Sequence, residues 1–374
     1  MNLRNLPTRE FDYVMLAAAV LLAAYGALLI YSGSLTGYGD PVADLSHPVT
    51  RQIAFAVFGV AAMLVLSRVD YRLLGPLSLT LYLVSLAGLV YVLAVGESEF
   101  GSRRWIDVAG TQVQPSEIAK TCTAIMLAKF FSDNEEQVHS VRVFATSLGL
   151  ALVPAVLVLV EPDLGSASVF LAIWLAMAVI AGARMLHLAA LAVVAGALAP
   201  VGIVVAAADY QKARFDSWWH PEDDPLGRGF NILQAETSIG AGRLLGKGLT
   251  HGTQTQLDYL RTPTTDYIFS VGAEELGFVG AMILFGLFVL LLFRCVRVVG
   301  RAQDSFGRLI AVGVMAFVLF QVFVNIGVNI RLVPVTGVPL PLVSQGGSSL
   351  ITVLASLGIL QSILGYRRTR GRRT

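Results

Sequence analysis

The sequence predicts an all-α polytopic membrane protein of about ten transmembrane helices, with a large extracytoplasmic loop between helices 7 and 8. Three observations predict it. Of 374 residues, 55% are hydrophobic and only 14% charged, against roughly 25% charged in soluble domains. The mean hydropathy is +0.70. Apolar runs of membrane-crossing length, roughly 17–25 residues, recur along the whole chain. This composition excludes a disordered chain, a nucleic-acid-binding domain and an ordinary cytosolic enzyme. The formal net charge of +2 gives no field that would steer a polyanion. Two cysteines, Cys122 and Cys295, cannot build a disulfide framework and sit in apolar runs as small hydrophobes.

Ten spans follow in order, at about 13–31, 51–67, 73–95, 116–131, 142–160, 165–182, 185–207, 266–294, 306–331 and 343–366. The first, with Arg4 and Arg9 ahead of it, reads as a retained signal-anchor because nine more spans succeed it. No internal repeat or second domain stands out, so residues 1–374 are expected to form one transmembrane domain with a long loop over 208–265. Basic residues set the orientation. With the N-terminus inside, 16 Lys and Arg lie on the inner side and 11 outside, six of the latter in the long loop, which counts little. Both termini are therefore expected in the cytoplasm. The unusual chemistry, at 101–120, 161–167, 208–280 and 334–349, then gathers on the outer side. Polar groups at membrane depth face a cavity or one another, so any active surface opens outward.

Asp266 stands where the long loop meets the eighth span. It suits a helix N-cap and equally a general base at the membrane surface. Glu274, eight residues and about 12 Å further along, shares nearly the same helix face. The pair Glu274–Glu275 in an apolar helix requires polar partners or a hydrated cavity. Glu117 and Lys120, at i and i+3, can pair on one face, either as a structural ion pair or in shaping a cavity. Ahead of them, Trp105 is by position an ordinary interfacial tryptophan and is also a candidate cavity residue, while Arg103 and Arg104 could hold a lipid phosphate or pyrophosphate bidentately. Asp163, in Glu161-Pro162-Asp163-Leu164-Gly165, is expected to cap the sixth span. The stretch Pro334–Ser349, with three prolines and Gly346-Gly347, predicts a broken or re-entrant segment whose backbone N–H groups could bind an anion. Within the loop, Phe230, Leu233 and Leu244 fall at roughly helical offsets and predict an interfacial segment. His220 and His251 have no partner at metal-ligand spacing.

Taken together, Gly101–Ile106, Gln114–Lys120, Glu161–Ala167, Gly227–Leu249, Thr265–Gly280 and Pro334–Ser349 give the chain a resemblance. Over residues 11–366 it resembles the SEDS proteins (shape, elongation, division and sporulation), and Val335–Leu342 looks like the elongation, RodA-type branch rather than the division branch, FtsW. The resemblance implies a peptidoglycan glycosyltransferase of the bacterial cytoplasmic membrane that polymerises lipid II during cell elongation and rod-shape maintenance. It implies a class B penicillin-binding protein, a transpeptidase, as partner, along with other elongation-complex membrane proteins. It implies Asp266 as the essential carboxylate and Glu117, Lys120, Asp163 and Ser344 as polar cavity residues. A divalent cation, Mg2+ or Mn2+, is compatible with the family, although no motif specifies one, and no organic cofactor is expected. This sequence has Thr264, Tyr267 and Gln345 where the family commonly has His, Phe and an aromatic residue, which argues against a required histidine beside Asp266.

The expected chemistry is inverting, with Asp266 as base and with Arg103, Arg104 and Lys120 stabilising the departing pyrophosphate. Two rivals remain: a lipid II flippase, which needs access from both faces, and a non-catalytic scaffold for a transpeptidase.

Overall fold

The computed structural model describes residues 10–38, 47–99, 102–108, 111–205, 209–227, 229–257 and 259–366. Ten helices fall on the ten apolar runs: α1 (Tyr13–Tyr38), α2 (Pro48–Leu66), α3 (Leu74–Val95), α4 (Pro115–Asp133), α5 (Val141–Val160), α6 (Leu164–Ala181), α7 (Met185–Val205), α11 (Ile268–Arg301), α12 (Ser305–Asn329) and α13 (Gly347–Gly365). Three shorter helices, α8 (Asp209–Trp219), α9 (Phe230–Gly242) and α10 (Thr253–Gln256), lie between α7 and α11. Among the described residues, eight helices are long and apolar enough to cross a membrane. Of the other two, α4 carries Glu117, Lys120, Lys129 and Asp133, and α7 counts as a span only in part. The chain is a polytopic all-α membrane protein.

Burial shows which helices form the centre. In α12 and α13, 72% of the spanning window is buried, against 22% in α2 and 28% in α3. Around this central pair, α13 packs on α2, α12 on α4, α6 and α11, and α1 on α11. The outer helices turn residues such as Val57, Val84 and Phe293 outward, as a lipid-facing surface requires.

Between α12 and α13 the chain leaves helical geometry, as three prolines predict. Residues 334–346 run as an extended segment and a turn, yet Val338, Leu340, Leu342 and Val343 are buried. Such backbone survives inside a bundle only where protein groups satisfy it. Gly165 on α6 makes room for it: a Cβ there would stand 2.6 Å from the Thr336 carbonyl oxygen.

Two features depart from the sequence expectation. A three-stranded antiparallel sheet, β1 (Glu97–Glu99), β2 (Ser102–Val108) and β3 (Thr111–Val113), follows α3, with Ser98 opposite Arg103 and Ile106 opposite Val113. The strands are too short to show a period in the sequence. The glycine-rich part of the loop is also not an amphipathic layer on the surface. Helix α9 docks on α11 through Ile232, Ala235, Ser238 and Gly242, whereas Leu244 is exposed.

The following strip, Arg243–Gly248, lies along α11 and opens it. The Phe278 and Val279 amides donate to the Arg243 and Leu244 carbonyls, and the Lys247 and Gly248 amides donate to the Glu274 and Glu275 carbonyls, at 2.9–3.1 Å. Bonds that α11 would make within itself are made to the strip instead. The break centres on Gly277, at φ 67° and ψ −165°. A Cβ there would stand 2.2 Å from the Gly246 nitrogen. Gly277→Ala is therefore expected to cost about 2 kcal/mol or more, read as a lower melting temperature in detergent. A melting temperature equal to wild type would refute the claim that this break requires glycine.

Candidate active site

The polar end of the bundle contains a cavity of about 1020 Å³. Its walls come from α2, the β-sheet, the turn between α5 and α6, α8, the 262–267 loop, the re-entrant segment and the start of α13. Arg51, Arg104, Asp163, Arg214 and Asp266 are the charged side chains lining it. An apolar crevice of about 370 Å³ adjoins it between α3, α4 and α13, sharing Phe55, Gly347 and Ser348 with the polar cavity.

Asp266 does not cap α11. The helix begins at Ile268, its N-cap is Tyr267, and no side chain of its own caps it. What fixes Asp266 is its backbone. Its carbonyl oxygen accepts from Asn329 Nδ2 at 2.9 Å and from Asn325 Nδ2 at 3.3 Å, both on α12. Asn325 Nδ2 also donates to the Val338 carbonyl at 2.9 Å, and Ser344 Oγ donates to the Thr265 carbonyl at 2.6 Å. The loop, the re-entrant segment and α12 are thereby joined around one peptide unit. The half-buried carboxylate is left lining the cavity. Burial pushes the Asp266 carboxyl up to about 6; Arg214 opposes the rise, Asp163 adds to it, and Arg104 opposes it.

Asp163 caps α6 as its spacing predicts, accepting from the Ser166 amide at 2.9 Å. Its other oxygen stands 3.6 Å from Arg104 Nη1. Arg104 also donates to the Glu161 and Pro162 carbonyls, so it fastens the sheet to the α5–α6 turn while lining the cavity. Burial raises the Glu161 carboxyl to about 8, with Asp163 adding to the rise and Arg104 opposing it, so Glu161 is mostly protonated at neutral pH. Trp105 is half-buried and lines the cavity, as a candidate cavity residue, and does not sit at the lipid interface that is the default for such a tryptophan.

Four other residues expected at the cavity stand away from its walls. Glu117 and Lys120 form an ion pair at 2.6 Å, each about 1% exposed, inside α4. Ser344 turns its hydroxyl to the Thr265 carbonyl and accepts from the Leu340 amide. Glu274 bonds Lys247 at 2.7 Å, Thr253 Oγ1 at 3.1 Å and the Gln254 amide at 3.2 Å, holding the loop strip, while Ser32 Oγ donates to Glu275 at 2.5 Å. These bonds are the polar partners that two adjacent carboxylates in an apolar helix require. The side chain of Arg103 lies outside the described residues.

The sequence reading missed Arg51, Arg214, Asn325 and Asn329. Both arginines were visible only as basic residues near spans. The two asparagines, one turn apart in an otherwise apolar run, were the available signal: buried amides require partners. Among the described residues, no group of three or more His, Cys, Asp or Glu side chains could hold a metal ion. Asp163 and Asp266 are the two carboxylates lining the cavity. A single carboxylate such as Asp163 suits a Mg2+-type ion shared with a ligand's phosphates, and it does not suit an all-protein cage.

The fold and cavity define a membrane-embedded protein whose site can take a polar, anionic head group beside an apolar crevice. The chain belongs to the FtsW, RodA and SpoVE cell cycle protein family, whose model matches residues 12–369. It is 38% identical over 359 residues to the peptidoglycan glycosyltransferase MrdB of Escherichia coli K12, covering 96% of this chain and 95% of that one. It is 37% identical over 360 residues to the stage V sporulation protein E of Bacillus subtilis, covering 96% and 98%. A solved structure reporting coordination of polymerization and crosslinking by a peptidoglycan synthase complex contains a similar chain. It is 31% identical, with a TM-score of 0.80, and the match covers 96% of this chain and 99% of that one.

Removing one member of the buried α4 pair leaves the other uncompensated. Glu117→Ala is expected to cost about 3 kcal/mol, lowering the melting temperature in detergent, and Glu117→Ala with Lys120→Met is expected to recover most of it. A single variant as stable as wild type would show that Lys120 finds another partner.

Proposed function

We propose that this protein is a peptidoglycan glycosyltransferase that joins lipid II disaccharides into β-1,4 glycan strands, with Asp266 as the general base. The observation that carries this reading is the Asp266 carboxylate. It is held at the cavity wall by its own carbonyl, it makes no side-chain hydrogen bond among the described residues, and burial raises its pKa to about 6. A group with that pKa is mostly ionised at neutral pH and is a stronger base than an ordinary aspartate.

The donor sugar is α-linked to pyrophosphate and the product is β-linked, so the transfer inverts. The acceptor 4-hydroxyl gives its proton to Asp266 as its oxygen bonds the donor anomeric carbon. The bond from that carbon to the phosphate oxygen breaks with its electron pair, releasing undecaprenyl pyrophosphate. Arg51, Arg104 and Arg214 surround the cavity with positive charge for that leaving group. Helix α13 opens into the same cavity, with Gly346 at its N-cap and the buried Ser349 hydroxyl without a partner among the described residues, a suitable cradle for a phosphate. A divalent cation, Mg2+ or Mn2+, would be held by Asp163 together with the substrate diphosphate and would neutralise diphosphate charge, with Asp266 kept as the base. The adjoining apolar crevice suits a polyprenyl tail.

The elongation branch is favoured by the Val335–Leu342 run, with division- and sporulation-type relatives as the alternative. A class B penicillin-binding protein is the proposed partner, in keeping with the synthase complex that contains a similar chain. The proposed setting is the bacterial cytoplasmic membrane, with both termini inside and the cavity facing outward. Arg72, Arg294, Arg297 and Arg301 support that orientation, because they gather at the end of the bundle away from the cavity. That end also weighs against a flippase. Asp12 binds Arg294 and the Gln361 amide, Glu10 binds Arg301, and Tyr71 binds Asp304 at 2.6 Å, so the helices there are fastened to one another by side chains.

Asp266→Asn keeps the size and removes the base. Polymer formation from lipid II by the purified complex, read on a gel, is expected to fall by a factor on the order of 10² or more, with melting temperature and partner binding unchanged. Wild-type glycan synthesis by this variant would end the base assignment in favour of a scaffold. In the wild type, the rate is expected to fall as pH drops through about 6, because protonation of Asp266 removes the base. A rate independent of pH between 5 and 8 would contradict it.

A further inference from the structure

Every α-helix begins with backbone N–H groups that its own turns cannot satisfy. In α11 the N-cap, Tyr267, supplies no side-chain acceptor. Asp266, immediately before it, is a residue type that ordinarily turns onto such amides. Here that place is already taken. Asn329 Oδ1, from α12, accepts from the Ser270 amide at 3.1 Å and from Ser270 Oγ at 2.6 Å. The other end of the same side chain donates to the Asp266 carbonyl at 2.9 Å and to the Asn325 carbonyl at 2.8 Å. Asn329 is 1% exposed, so each of these bonds stands in place of one to water.

We propose that Asn329 is a positioning residue: it caps α11 from the neighbouring helix and so keeps the Asp266 carboxylate off the helix amides and facing the cavity. One amide group performs both halves of the task, since its oxygen fills the cap and its nitrogen fixes the peptide that carries the carboxylate. Without it, the Ser270 amide loses its acceptor, and the Asp266 carboxylate, one residue before the N-cap, is of the type that turns onto a helix start. A carboxylate that accepts backbone N–H bonds is a weaker base, because those bonds favour its charged form. The charged groups that act on Asp266 are Arg214 of α8, Arg104 of β2 and Asp163 of the α5–α6 turn, and substitution at 329 changes none of them. The proposal rests on Asp266 being the base.

The test is the pH dependence of glycan synthesis by the purified full-length protein with its transpeptidase partner and lipid II. Asn329→Leu keeps the volume and Asn329→Ala removes it. Both are expected to lower kcat at least about tenfold, with KM changed less than about twofold, and to move the acid limb down by about one pH unit. Gln321→Met is the control on α12; Gln321 is buried, its side chain has no hydrogen-bond partner among the described residues and it lies two turns away, so the wild-type limb is expected to persist. A rate loss with an unmoved limb, or failure of both variants to fold, would assign Asn329 to packing alone and overturn the proposal, as would wild-type kinetics. Asp266→Asn, assayed in parallel, separates the two ideas. If that variant is active, the base reading fails; if it is dead while Asn329→Leu behaves as wild type, only the positioning role fails.

Discussion

Two asparagine amides on one carbonyl oxygen hold the polar end of this bundle together. The Asp266 peptide lies where a loop, a re-entrant segment and two helices meet, and protein groups must satisfy it because lipid cannot. Asn325 and Asn329 reach it from α12, the most buried of the spans together with α13. Because α12 is central, the geometry of the site is tied to a rigid element and not to the long loop beside it. The same requirement, that every buried polar group find a partner, accounts for the Glu117–Lys120 pair, for Lys247 on Glu274 and for Ser32 on Glu275.

The spans were legible because few soluble folds can bury an apolar run of membrane length, let alone ten in succession. Their order, their approximate limits and the broken segment at 334–346 all follow from composition and proline placement. The short sheet was not legible, since three-residue strands carry no usable period. Nor were the cavity walls. Asp163 could be placed as a cap from its neighbours in sequence, but whether a polar residue such as Ser344 or Glu274 faces a cavity or fastens a loop depends on contacts far apart in the chain. Trp105 shows the same limit from the other side: an aromatic residue near a membrane edge is commonplace, and only packing shows that this one lines the cavity.

The two ends of the bundle are built differently. At one, arginines and a backbone helix start surround open space. At the other, arginines are committed to carboxylates: Arg294 to Asp12 and Arg301 to Glu10, with Tyr71 on Asp304 close by. Charged side chains thus line an open cavity at one end, and at the other they tie the helices together.

The apolar crevice beside the cavity, with Ile118 exposed on its rim, carries a consequence of its own. On the proposed reading, a lipid-linked substrate arriving through it comes sideways from the bilayer and never crosses bulk water. The quantity that governs saturation is then the two-dimensional density of the substrate among its neighbouring lipids, so diluting a reconstituted vesicle with buffer leaves turnover untouched, whereas diluting it with inert lipid slows it.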